Sequence, residues 1–358
     1  MQVHGKSIMS KHLVIMAGGT GGHIFPALAV AENLLEKGWT VSWIGTRKGL
    51  ESRVIPDNNI EIDYLSVNGL RGKGKLALLK MPWMLLKACW QARRLLKSRQ
   101  PNVVLGMGGF VAGPTGLMAK YLGIPLIIHE QNRVVGTTNR LLAHLATEVL
   151  EAFPHSFSAD KNAVWTGNPL RKGFINLDGL TKQVDSKKIR ILVLGGSLGA
   201  QRLNEVLPET LALFDNIEVQ HQSGTKMREQ VQQHYQKQGV SAQVVDFIED
   251  MVAAYRWADV VICRAGAMTV SEVAAAGVPS ILVPYPYAID DHQTKNAEYL
   301  VSAGAGVMIQ QTELTVEYLE KQIKSVIANL ESMAQSAIDC AKLDATECVA
   351  TKCIERSL

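Results

Sequence analysis

Hydrophobic and polar positions along the chain alternate between short apolar runs and longer stretches of helical period. Residues 12–16 read HLVIM and end at Ala17-Gly18-Gly19-Thr20-Gly21-Gly22-His23. Pro26 and the periodic stretch ALAVAENLLEKG follow, and the closing Gly38 suits a helix C-cap. That pattern predicts a strand, a glycine turn and a helix. The same order returns at Ile191–Leu194, followed by Gly195-Gly196-Ser197-Leu198-Gly199-Ala200 and another helical stretch. Two similar units therefore begin about half a chain apart. Further apolar runs, TVSWIG, NVVLGMGG, IPLIIHEQN, TEVLEAF, VVICRAG and PSILVPYP, alternate with helical stretches. Strands alternating with helices predict an α/β fold with a parallel, doubly wound sheet in each half. The polar stretch from Asn168-Pro169 to Lys188 is the candidate hinge.

Length agrees with two cores, since 358 residues exceed one ordinary domain. A content of 47% hydrophobic and 20% charged residues excludes a disordered chain. The five cysteines, Cys89, Cys263, Cys340, Cys348 and Cys353, are scattered without a C-x-x-C pair, which points to reduced thiols rather than disulfides or zinc. The N-terminal stretch is polar up to residue 12 and lacks the apolar core of a signal peptide, so a cytoplasmic protein is expected. The longest uncharged run, residues 101–119, is broken by glycines and Pro114, and no transmembrane helix is expected. Net charge is only +4, but its distribution is uneven: between Asp63 and Glu130 there are ten Lys or Arg and no acidic residue.

A helix N-terminus preceded by glycines offers backbone N–H groups and a positive dipole end to a diphosphate, and both halves have one. Many α/β folds use such glycines only to turn. Neither loop fits G-x-G-x-x-G, because Ile24 stands where the third glycine belongs, and VSWIGT ends without the acidic residue that grips an adenine ribose. The P-loop pattern is also missing. A phosphate-binding fold for another nucleotide remains. In the second half, Cys263-Arg264-Ala265-Gly266-Ala267-Met268-Thr269-Val270-Ser271-Glu272 follows a strand and enters a helix expected over 270–276. This places Glu272 on a first turn, where a carboxylate can accept from both ribose hydroxyls or cap the helix. Downstream, Asp290-Asp291-His292-Gln293-Thr294-Lys295-Asn296-Ala297 offers hydrogen-bonding groups to a sugar. A metal site there is disfavoured because three adjacent residues rarely converge on one ion.

GGTGGHIFPALA, GMGGFVAGPTGL, IHEQN, GNPLR, GGSLGAQRLN, CRAGAMTVSE and DHQTKNA occur in this order across nearly the whole chain, from about Lys11 to Asp344-Ala345-Thr346-Glu347. Together they resemble the bacterial N-acetylglucosaminyltransferases of glycosyltransferase family 28, which convert lipid I into lipid II. The resemblance implies a GT-B fold, two Rossmann-like domains facing across a cleft. An acceptor- and membrane-facing domain would span 11–168, with a C-terminal helix (344–358) returning to it, and a UDP-N-acetylglucosamine domain would span 169–343. Carried over by position, Thr20, Gly21 and Gly22 would lie at the donor diphosphate and sugar, with Asn132 nearby. Arg171 and Ser197 would contact phosphate and Ile248 the uracil. Ala267, Met268, Thr269, Val270, Ser271 and Glu272 would hold phosphate and ribose, and Gln293 the sugar hydroxyls. Leu198 departs from the family pattern, which often has Gln there.

An inverting transfer needs a base near the acceptor and charge stabilisation at the leaving diphosphate. His23 is the first candidate base, since imidazole titrates near neutral pH and crowns the first glycine loop; Glu130 is its rival, and His23 orienting the loop or binding phosphate stays open. Arg171 and the helix N-termini would stabilise UDP, so neither metal nor other cofactor is expected. The stretch from Arg71 to Lys87 mixes cations with Trp83 and other bulky apolar residues. By itself it suits a core helix with solvated lysines. Together with a polyprenyl-linked acceptor, lipid I, it suits peripheral contact with anionic lipid on the cytoplasmic face of the inner membrane. No recognised nucleic-acid module accompanies it. Competing readings are another GT-B lipid glycosyltransferase, a UDP-sugar epimerase, and a UDP-sugar sensor without turnover.

Overall fold

The computed structural model describes residues 10–67, 75–175, 188–196 and 200–357, with the side chains of 75–80, Ile175 and Ile289 left aside. Ser197, Leu198 and Gly199 of the second glycine loop, Arg71 and Lys73 of the basic stretch, and residues 176–187 of the candidate hinge lie outside the described residues. The chain divides into two compact units, one running to Arg171 and resuming at Asp344, the other spanning Lys172–Leu343.

In the first unit the order is β1 (His12–Met16), α1 (Gly21–Glu36), β2 (Thr40–Gly45), α2 (Glu51–Asp57), β3 (Glu61–Tyr64), α3 (Lys75–Arg99), β4 (Val103–Gly106), α4 (Ala112–Tyr121), β5 (Leu126–Glu130), α5 (Thr137–Leu142), β6 (Glu148–Glu151) and β7 (Val164–Trp165). Its seven-stranded parallel sheet has the order β3-β2-β1-β4-β5-β6-β7. The inner strands are buried on both faces, so they read as apolar runs whose alternate residues enter opposite layers. Leu13, Ile15, Trp43, Leu105 and Ile127 pack with Ile24 and Ala27 of α1. Val14, Met16, Val104 and Ile128 enter the layer that holds Val111, Ala112 and Leu142. Each fully buried side chain of this kind contributes roughly 1.5–3 kcal/mol.

The second unit repeats the plan with α6 (Lys172–Ile175), β8 (Ile189–Leu194), α7 (Gln201–Leu211), β9 (Ile217–Gln222), α8 (Arg228–Lys237), β10 (Ala242–Val245), α9 (Met251–Trp257), β11 (Val260–Cys263), α10 (Ala267–Ala276), β12 (Ser280–Leu282), α11 (His292–Ser302), β13 (Gly306–Met308), α12 (Val316–Ile327) and α13 (Leu330–Asp339). Its six-stranded parallel sheet has the order β10-β9-β8-β11-β12-β13. Ile191, Val193, Val260 and Ile262 pack with Leu203, Leu207, Leu319 and Ile323. Helix α10 starts three residues earlier than its sequence pattern suggests, because extended Gly266 (φ −64°, ψ 146°) is its N-cap and Ala267 and Met268 are strong helix formers. Glu272 therefore sits in its second turn, and neither Ser271 nor Glu272 caps it.

The chain returns to the first unit in α14 (Ala345–Arg356). Val349, Ala350 and Cys353 enter the core beside α1. Glu347 accepts from Lys37 Nζ at 2.5 Å and Asn33 Nδ2 at 3.1 Å, Arg356 pairs with Glu148, and Thr346 Oγ1 donates to Leu170 O at 3.0 Å.

Candidate active site

Strand order reverses between β1 and β4 in the first unit and between β8 and β11 in the second. The loops leaving the carboxyl ends of such strand pairs form the ligand crevice of open α/β sheets. In the first unit these loops touch. A Cβ on Gly109 (φ +83°) would stand 2.5 Å from Gly18 O, so only glycine fits there. Extended Thr20 precedes α1 and its carbonyl accepts from His23 N (3.1 Å) and Ile24 N (3.4 Å), while its exposed hydroxyl makes no capping bond. Gly21 and Gly22 thus head a sixteen-residue helix with no intrahelical carbonyl behind their amides, at its positive end. Arg171 stands over the Phe25 ring, 5.8 Å from its centroid, and a Cβ on Gly21 would lie 2.8 Å from that ring, so the guanidinium borders the same turn.

Beneath the loop lies a carboxylate that the sequence motifs did not reveal. Glu51, fully buried, accepts from Gly19 N (3.1 Å), Thr46 N (2.8 Å) and Thr46 Oγ1 (2.7 Å). Three charge-assisted bonds from one carboxylate tie the first glycine loop to the end of β2.

Strand β5 and the loop after it divide their side chains by alternation. His129 and Gln131 follow Ile127 toward the α1 layer, whereas Glu130 follows Ile128 toward α5. Half-buried His23 meets this row: its Nδ1 lies 2.7 Å from Gln131 Oε1, and its Nε2 makes no hydrogen bond among the described residues. Gln131 Nε2 lies 3.0 Å from both His129 Nδ1 and His129 O, and His129 Nε2 lies 2.9 Å from Gly167 O. The His23 ring presses on Gly108, where a Cβ would come within 3.0 Å of Cε1.

Glu130, 2% exposed, faces the other way. Oε1 accepts from Asn132 N (3.0 Å) and Nδ2 (3.3 Å), and Oε2 accepts from Gly136 N and Asn139 Nδ2 at 3.0 Å each. Four donors occupy its lone pairs and fold the segment 132–139 around it. Asn132 is thereby held at the loop's start. Glu130 and His23 are not brought together as a pair.

In the second unit, the loop entering α10 and the turn after β12 are joined by Arg264, whose guanidinium donates to Val283 O and Pro284 O (3.1 Å each) and to Gln311 Oε1 (2.5 Å). Burial holds the Arg264 pKa below its ordinary value. Ala267 and Val270 are buried, while Met268, Thr269, Ser271 and Glu272 are partly open. Glu272 Oε2 accepts from Tyr255 Oη at 3.3 Å. Ile248 follows β10, its amide donating to Gln222 Oε1 at 2.9 Å, and Gln293 Oε1 accepts from Tyr285 N at 2.9 Å. Among the described residues, no three His, Cys, Asp or Glu are grouped to hold a metal ion.

The surface of α3 is unusual for its apolar content. Trp83, Leu86 and Trp90 are 78%, 63% and 61% exposed, and with Ser66, Met84 and Lys87 they line an open groove of about 590 Å³. No helix among the described residues is long and apolar enough to cross a membrane.

Two touching glycine turns at the switch point of a doubly wound sheet, and the same plan repeated in a second unit, are the arrangement of a nucleotide-sugar glycosyltransferase. The glycosyltransferase family 28 N-terminal domain matches residues 13–151 and its C-terminal domain residues 190–350, and the chain belongs to that family. It is 54% identical to the UDP-N-acetylglucosamine–N-acetylmuramyl-(pentapeptide) pyrophosphoryl-undecaprenol N-acetylglucosamine transferase of Methylococcus capsulatus, over 98% of this chain and 99% of that one. The enzyme of the same name from Pseudomonas fluorescens SBW25 is 49% identical, over 97% and 99%. The crystal structure of Acinetobacter baumannii MurG superposes with a TM-score of 0.83 at 41% identity, covering 96% of this chain and 99% of that one. A UDP-GlcNAc 2-epimerase from Neisseria meningitidis reaches 0.67 at 14% identity, a likeness of fold alone.

Proposed function

We propose that this chain transfers N-acetylglucosamine from UDP-N-acetylglucosamine to the 4-hydroxyl of the muramyl sugar in undecaprenyl-pyrophosphoryl-MurNAc-pentapeptide, lipid I. The product is lipid II, for peptidoglycan synthesis and hence cell shape and division. The observation that carries this reading is the His23 imidazole at the head of α1 with its Nε2 unbonded to the described residues, in a chain 54% identical to a transferase of that name.

In the transfer, the acceptor oxygen attacks C1 of the sugar while the bond from C1 to the β-phosphate oxygen breaks. UDP leaves with the electron pair, and the hydroxyl proton passes to His23 Nε2. One displacement inverts the anomeric centre. Glu130, with four donors on its carboxylate, acts as a loop clamp rather than as the base. The second unit holds the donor: Ile248 meets the uracil, Ala267 to Glu272 the phosphates and ribose, Gln293 the sugar, and Ser197 a phosphate. Thr20, Gly21, Gly22 and Asn132 meet the diphosphate and sugar from the first unit. The α1 N-terminus and Arg171 stabilise the charge growing on UDP, and preorganised electrostatics of this kind is usually the largest catalytic term. The exposed tryptophans and lysines of α3 rest on the anionic cytoplasmic face of the inner membrane, beside the lipid-linked acceptor.

The test is mass spectrometry of a reaction of UDP-N-acetylglucosamine with a short-chain lipid I analogue in EDTA. A disaccharide-linked lipid plus UDP is expected. Product only after adding magnesium would overturn the metal-free mechanism, and UDP binding without product under either condition would overturn the acceptor.

A further inference from the structure

We infer that Gln131 and His129 form a neutral relay that fixes the tautomer of His23, keeping hydrogen on Nδ1 and leaving Nε2 as the nitrogen that takes up the acceptor proton. The inference rests on His23 being the base proposed above, and extends it to two buried residues that touch no substrate.

The direction of every bond follows from two carbonyls, which can only accept. Gly167 O lies 2.9 Å from His129 Nε2, so that nitrogen carries hydrogen. Burial, opposed only in part by this bond, lowers the His129 pKa to about 4, so the ring is neutral and its Nδ1 is a bare acceptor. The second carbonyl is that of His129 itself, 3.0 Å from Gln131 Nε2, which must therefore be the amide nitrogen. Its two hydrogens face His129 O and His129 Nδ1, each at 3.0 Å, with the Met107 thioether a weaker acceptor at 3.9 Å. The amide oxygen then points at His23 and can only accept, so His23 Nδ1, at 2.7 Å, is the donor.

Turning the amide over would set its oxygen against the His129 carbonyl and its NH2 against His23. Two acceptors 3.0 Å apart in a buried site carry the full cost of an unmade hydrogen bond. Gln131 is 1% exposed, and its own carbonyl accepts from Asn168 Nδ2 at 3.1 Å, which pins the backbone beneath it. Glycine at 108 leaves room for the ring, because a Cβ there would stand 3.0–3.5 Å from Cε1, Nδ1 and Nε2. The relay also suits both states of the base, because the imidazolium formed by proton uptake at Nε2 still donates from Nδ1 to the same oxygen. An amide does not take that proton away, as a carboxylate partner could. Gln131 and His129 are thus positioning residues.

Two-bond 1H–15N correlation spectra of the full chain labelled with 15N-histidine read the tautomers directly, with His23 assigned by the signals lost in His23→Asn. Hydrogen on Nδ1 of neutral His23 and on Nε2 of His129 is expected; hydrogen on Nε2 of neutral His23 would overturn the relay. In turnover of the lipid I analogue, Gln131→Met is expected to lower kcat about tenfold or more while the KM for UDP-N-acetylglucosamine changes by less than about twofold. His129→Phe moves kcat the same way, and His129→Asn, whose Oδ1 replaces Nδ1 as acceptor, restores most of the loss. Unchanged kcat in Gln131→Met overturns the relay. Unchanged kcat in His23→Ala overturns instead the base reading, and the spectra still decide the tautomer.

Discussion

His129 and His221 are fully enclosed, one between Gln131 and Gly167 and the other between Asn204 and Tyr235, and burial lowers their pKa values to about 4 and about 3. An unfolded histidine titrates near 6.5, so below that pH the unfolded chain binds protons that the folded chain refuses. The stability they contribute is complete above about pH 6.5 and is lost as pH falls toward 4 and then 3, by on the order of 1 kcal/mol per pH unit for each. Urea midpoints measured from pH 7 to 4.5 should fall, and more gently in His221→Gln. Glu51 makes a second residue-scale case. Removing its carboxylate in Glu51→Ala strands three donors beneath the glycine loop and should cost about 2–3 kcal/mol in urea unfolding. No motif marked Glu51, since its role depends on α2 bringing it under a loop thirty-two residues earlier.

At the scale of elements, β5 shows how one strand serves two purposes. The run HEQN looks uniformly polar after the apolar LII, yet alternation sends His129 and Gln131 to one layer and Glu130 to the other. His23 and Glu130, rivals in sequence, therefore acquire different surroundings. Helix α3 shows the complement, a helix whose apolar residues were not all taken inward. Ala88, Ala92 and Leu96 are buried, while Trp83, Leu86 and Trp90 are not. If that face meets lipid, Trp83→Ser with Trp90→Ser should reduce sedimentation with phosphatidylglycerol vesicles at least about tenfold, since each buried indole contributes more than one kilocalorie. Turnover of a short-chain, water-soluble acceptor should stay within about twofold.

For the whole molecule, the notable feature is that the first unit is completed by the last segment of chain. Val349 of α14 is fully buried in the core built on β1 and α1. Val349→Asp puts a charge there without a partner and should cost more than about 3 kcal/mol, whereas Val349→Ala should cost about 2. Calorimetry would read both as a lower Tm. The alternation of apolar runs and helical stretches, each started by its own residues, determined two doubly wound parallel sheets from the sequence, and seven motifs in order determined the family. These are local and linear properties, legible without coordinates. Which side chains meet was decided by tertiary structure alone. Glu51 under Gly19, Gln131 against His23 and Val349 beside α1 are contacts across tens to hundreds of residues. Strand order and the alternation of side chains between faces create them, and a linear reading does not contain them.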